Sequence, residues 1–168
     1  MYGQPLFRLY ELDRELSREE LIDALAATPG RFRELLRARP AEQLARRPDG
    51  GGWSPIEVLR HVRDVVQVYG MRFKWMILQD DPFLPNYDED RWVTESPDGP
   101  AQLDAVLDEM AAYRAETVRL LRALPPDGWS RRGRHEVLDE VELEPYVRHE
   151  VAHEEQHLAQ LATALRFA

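Results

Sequence analysis

The sequence predicts an all-α fold, a four-helix bundle with long crossover connections, and three observations carry that prediction. Helix-starting signals stand at Ser17 and Ser54, and apolar residues recur at helical spacing through four long segments. The breaks between those segments are long and rich in Pro, Gly and Asp. At 168 residues the chain reads as a single domain covering 1–168, large enough to bury a hydrophobic core.

Taken in order, Ser17-Arg-Glu-Glu20 has the form of a capping box and opens a short helix to about Ala27. Thr28-Pro29 restarts a second helical piece that runs to about Arg39, with Phe32, Leu35 and Leu36 on one side, and Pro40 ends it. A weak turn of helix precedes the flexible Pro48-Asp-Gly-Gly-Gly52. Ser54-Pro-Ile-Glu57 is a second capping box with Pro55 at the first helical position. It opens a long helix to about Gln79, and Asp80-Asp-Pro82 stops that helix. Pro82 to Pro100 reads as a long loop, and a loop of that length in a compact domain is more often functional than idle. Tyr87 and Trp92 are its candidate pocket contacts; a surface loop pinned by its own aromatics is the alternative. Ala101 to Leu124 is the third clear helix, with Leu103, Val106, Leu107 and Met110 on its apolar face. Pro125-Pro-Asp-Gly128 breaks it, Trp129 to about Glu140 is irregular with a short hairpin at most, and the final helix follows from about Pro145.

That final segment carries the chemistry. His149, His153 and His157 recur every four residues, so on a helix each imidazole is offset from the last by only about 40° and the three form one column. The column lies at the edge of the apolar stripe of Val147, Val151, Leu158, Leu161 and Leu165. In the helix after Ser54, His61 sits at the same kind of edge beside Val58, Val62, Val65 and Val66. Two histidines one turn apart plus one from a facing helix give three nitrogen ligands and leave a position for water or substrate, the pattern of catalytic metal sites. Imidazole alone does not choose among zinc, nickel, iron and manganese. Each residue also has an ordinary role. Histidines at a core edge often serve as hydrogen-bonded packing groups. Glu154, near the apolar arc, is open to three roles: partner to an imidazole N–H, general base, or a side chain that snorkels to solvent. Asp64 either orients His61 or pairs with Arg60 or Arg63. Arg72, three turns after His61, either binds an anionic substrate group or joins an ion pair.

Composition excludes several classes. Acidic residues outnumber basic ones 31 to 22, for a net charge of −9, which argues against a nucleic-acid groove. Without cysteine there are no disulfides and no thiolate ligands. Residues 1–16 show no charged-then-apolar leader and no apolar run approaches the ~20 residues of a membrane span, so the expectation is a soluble cytoplasmic protein without membrane partners.

Trp53-Ser-Pro-Ile-Glu-Val-Leu-Arg-His61-Val-Arg-Asp64, taken with His153-Glu-Glu-Gln-His157-Leu-Ala-Gln-Leu161, resembles the DinB/YfiT-like superfamily over most of the chain, from about Leu21 onward. The resemblance implies a four-helix bundle with a long crossover, a homodimer, and a divalent metal on three histidines, which here fall at His61, His153 and His157. Zinc and nickel lead among the ions, with iron and manganese also open. The sequence departs from the family pattern before the last helix, where Leu138–Leu143 and Pro145 replace the usual Gly and Thr-Leu, and His149 is an additional histidine one turn early. The implied activity is a metal-dependent hydrolase acting through metal-bound water on a small-molecule substrate, with His149 and Glu154 as catalytic candidates. A thiol-dependent S-transferase using a low-molecular-weight thiol, and a non-catalytic dimeric helical bundle, are the alternatives.

Overall fold

The computed structural model describes residues 11–167; most of the expected leader-free segment lies outside them. Four long helices dominate: α1 (Arg18–Leu36), α3 (Pro55–Leu78), α5 (Leu103–Arg122) and α6 (Leu143–Phe167). Between them lie α2 (Ala41–Ala45), β1 (Phe83–Leu84), α4 (Glu89–Glu95), β2 (Arg132–His135) and β3 (Asp139–Glu142). No described helix is long and apolar enough to cross a membrane.

Both capping boxes form. The Ser17 amide donates to the Glu20 carboxylate at 2.7 Å, and the Ser54 amide donates to Glu57 at 2.8 Å, tying off otherwise orphaned N–H groups at the starts of α1 and α3. Thr28-Pro29 does not restart a helix, because α1 runs through it unbroken. Leu25 and Phe32, one on each side, are both fully buried, so tertiary packing holds the two halves on one axis although Pro29 cannot donate to the preceding turn. The stretch expected as a loop also carries structure. Asp88 caps α4 by accepting from the Arg91 amide at 3.0 Å, and β1 pairs in parallel with β2. The hairpin anticipated at most between Trp129 and Glu140 is present, shifted to end at Glu142, and β1 extends it to three strands in the order β1-β2-β3. The last helix begins at Leu143, two residues before Pro145, which therefore lies in its first turn where a missing N–H costs nothing.

The helix contacts define a closed ring: α3 touches α5 and α6, and α1 touches α5 and α6. Helices α1 and α3 are thus diagonal, as are α5 and α6. Two apolar clusters fill the bundle. One holds Leu21, Leu25, Phe73, Met76, Leu121 and Val151, and the other holds Phe32, Leu36, Val62, Val106, Leu107 and Leu161. Helices α1 and α6 run from the first cluster to the second, while α3 and α5 run the other way. After α3 the chain must therefore return the full length of the bundle before α5 can start. That span is about 36 Å for a 24-residue helix, and it explains why residues 79–102 are long.

A polar layer separates the two clusters. Arg114 of α5 reaches across the bundle centre to α6, donating to Glu150 Oε1 at 2.8 Å and to Glu154 Oε1. The Thr28 hydroxyl of α1 donates to Glu154 Oε2 at 2.6 Å. All four side chains are essentially out of reach of water. Close helix approach also depends on Gly70, where an added Cβ would stand 2.6 Å from the Thr117 hydroxyl of α5.

Candidate metal centre

The antiparallel pair α3 and α6 brings His61, His153 and His157 together. His61 Nε2 lies 3.4 Å from His153 Nε2, and His157 Nε2 lies 3.0 Å from the same atom. One ligand nitrogen from each residue falls within 4.8 Å of the others. Metal–nitrogen bonds of about 2.0–2.1 Å at tetrahedral angles separate neighbouring nitrogens by about 3.3 Å, so the spacing fits a shared ion. A ring nitrogen carries either one proton or one lone pair, so His153 Nε2 cannot make two good hydrogen bonds to two imidazoles at once. A cation between the three nitrogens resolves that conflict. The donor set is three imidazoles, which favours transition ions over calcium or magnesium.

The surroundings set the ligand tautomers and charge. His157 Nδ1 donates to Gln160 Oε1 at 2.7 Å, which leaves its Nε2 lone pair facing His153. His61 is 1% exposed, and burial followed by the nearby His157 holds its pKa down at about 3. Burial also holds His153 well below the usual imidazole range and lowers His157 against the pull of Gln160. All three are therefore neutral at physiological pH and present lone pairs without first losing protons. Trp53 covers the group, its ring 4.7 Å from that of His61 and stacked at 6.3 Å on His157.

His149 lies one turn before His153, with ring centroids 6.1 Å apart. Its Nε2 and the Tyr69 hydroxyl are 2.9 Å apart, and its ring stacks on Tyr146 at 6.0 Å. Burial, then His135 and Arg72, lower its pKa to about 4. Arg72 in turn donates to the Tyr146 hydroxyl at 2.8 Å. Polar contacts thus continue from the histidine group along the α3–α6 seam through His149, Tyr69 and Tyr146 to Arg72.

Glu154 faces elsewhere. Its carboxylate joins α1 and α5 through Thr28 and Arg114, whereas the imidazoles face α3. At 1% exposure it does not snorkel, because Arg114 supplies a buried partner that the sequence pattern does not reveal. Asp64 accepts from Arg63 Nε at 2.6 Å, the ordinary pairing of the two considered. In the crossover, Tyr87 and Trp92 pack on each other with ring centroids 4.7 Å apart. The Tyr87 hydroxyl is buried, and Trp92 remains 43% exposed.

Several residues around the centre escape a reading of the histidines alone. Gln160, three residues after His157, shares its helical face, and Tyr69, eight after His61, falls about 80° round α3 on the adjoining apolar stripe, so both were available to that logic. His135 was not, because only the β2–β3 hairpin carries it to within 6.1 Å of the Tyr146 ring.

Comparison with known proteins agrees with this architecture. The family model of the DinB superfamily matches residues 24–161. A protein of Bacillus mycoides named "Putative metal-dependent hydrolase" is 28% identical over 116 residues, 69% of this chain and 66% of that protein. One of the same name from Bacillus cereus is 26% identical over 152 residues, 88% of this chain and 87% of the relative. Among solved structures, YfiT from Bacillus subtilis, described as "a probable metal-dependent hydrolase with an unusual four-helix bundle topology", superposes with a TM-score of 0.83. The match has 24% identity and covers 95% of this chain and 94% of that one.

Proposed function

The chain belongs to the DinB superfamily, and on that premise we propose that it is a metal-dependent hydrolase of a small-molecule substrate, with His61, His153 and His157 holding a divalent transition ion. The observation that carries the proposal is the approach of two imidazole Nε2 atoms to a third, at 3.0 and 3.4 Å, across the α3–α6 seam. An ion held there supplies Lewis acidity, which brings the pKa of water toward neutrality and polarises a carbonyl. The protein's own groups do the rest. Gln160 fixes the His157 tautomer, Trp53 excludes bulk water from one side, and His149, held by the Tyr69 hydroxyl, stands neutral beside the centre as a proton relay. Glu154, occupied by Arg114 and Thr28, is assigned no step. The names borne by the Bacillus relatives support the reaction class.

Elemental analysis of untagged protein, beside His61→Ala and His157→Ala, tests the reading. The expected result is about one divalent transition ion per chain, lost in both variants, because each removes one of only three ligands. Retention of metal by folded His61→Ala protein overturns the inter-helix site.

A further inference from the structure

Arg72 is 2% exposed, yet among the described residues no carboxylate lies within 4.0 Å of it. A buried guanidinium is ordinarily paired. This one instead has neutral neighbours: the Tyr146 hydroxyl at 2.8 Å, the Pro85 carbonyl, and the rings of Tyr69 and Tyr87 at 5.3 and 5.9 Å. Its Nε and the Tyr87 hydroxyl are both buried donors with no acceptor. Glu89 is near enough to feel the charge of Arg72, though burial acts on that carboxyl more strongly and raises its pKa. The crossover segment beside Arg72 lies at the surface, with Pro85 and Asp88 exposed and Asn86 and Tyr87 between them half-buried.

We propose that Arg72 Nε and the Tyr87 hydroxyl form a carboxylate-binding subsite, so that the substrate is a small organic acid. Two unmade donors on adjacent groups, one of them charged, match the oxygens of a carboxylate. Arg72 follows His61 by three turns of α3, and Tyr146, which Arg72 grips, precedes His153 and His157 on α6, so the subsite stands about 10 to 16 Å along the seam from the histidine centre. For a carboxylate bound there to belong to the substrate, the rest of the molecule must extend past Tyr69 and His149 to the centre. Only this last step rests on the hydrolase reading.

The test is calorimetric titration of metal-free, EDTA-treated protein with benzoate and with its neutral isostere benzamide. Benzoate is expected to bind saturably and benzamide not to. Arg72→Lys is expected to weaken benzoate about tenfold, since an ammonium loses the planar fork, and Tyr87→Phe about threefold or more. Glu89→Gln is expected to tighten it. Wild-type affinity in Tyr87→Phe, the milder change should Arg72→Lys misfold, overturns the subsite, as does failure of benzoate to bind. Benzoate that binds only after zinc is added, regardless of Arg72, also overturns it while leaving the hydrolase reading intact. Binding that depends on Arg72 in protein that takes no zinc supports the subsite while the metal reading fails.

Discussion

Replacing Glu154 by Gln should flatten the dependence of stability on pH. Glu154 is fully buried, and desolvation, opposed by Arg114 and reinforced by Glu150, raises its pKa to about 8. In the unfolded chain the same carboxyl titrates at the ordinary 4.5. Between those values the folded state holds a proton that the unfolded state has released, so stability falls as pH rises through that window. Integrating from pH 5 to 8 at about 1.4 kcal/mol per unit gives a loss of about 3 kcal/mol for the proton that the Glu150–Glu154 pair retains. Glu150 is shifted in the same direction, so the two carboxyls share the effect. Glu154→Gln keeps the shape and removes the titration. The assay is urea unfolding of both proteins at pH 5, 6, 7 and 8 in EDTA, with coincident m-values required. The stability difference between them should move in favour of Gln by about 3 kcal/mol from the lowest pH to the highest. If the two curves run parallel, Glu154 is ionised throughout, and Arg114 outweighs the cost of burial.

Two further outcomes follow from the packing around the seam. Gly70→Ala should lose about 1 kcal/mol by urea unfolding, the steric cost at Thr117 exceeding the gain in helix propensity; a stabilised variant would mean that α3 and α5 part easily. Gln160→Ala should weaken zinc affinity about 10- to 100-fold by calorimetry while leaving metal-free stability unchanged. Unaltered affinity would show that the His157 tautomer is fixed by something other than this hydrogen bond.

The parts of the molecule legible in the sequence are those set by local spacing. The capping boxes at Ser17 and Ser54, the ends of α3 and α5, and the histidine column of α6 all follow from residues within a turn or two of each other. What the sequence hid depends on distant partners. Pro29 looks like a break until Leu25 and Phe32 are seen buried on one axis, and Glu154 looks like a side chain bound for solvent until Arg114 arrives from the diagonal helix. The strand at Phe83–Leu84 has no alternation to announce it and exists only because β2 offers an edge. His61 could be placed at a core edge, but its distance from His153 is a matter of how α3 and α6 lie together.

The layer of Arg114, Glu150, Glu154 and Thr28 bears on that last point. Apolar faces are forgiving, and a helix can slide by one turn, about 5.4 Å, and still meet leucines. Here such a slide would carry two carboxylates into the cluster of Phe32 and Leu36 or that of Leu25 and Val151, and leave a guanidinium stranded. The bonds on the α1–α5 side of α6 thus act as a registration pin for the helix, and the histidines on its α3 side inherit the alignment. Imidazoles that must stay within a few tenths of an ångström of a working distance are aligned by contacts that never touch them.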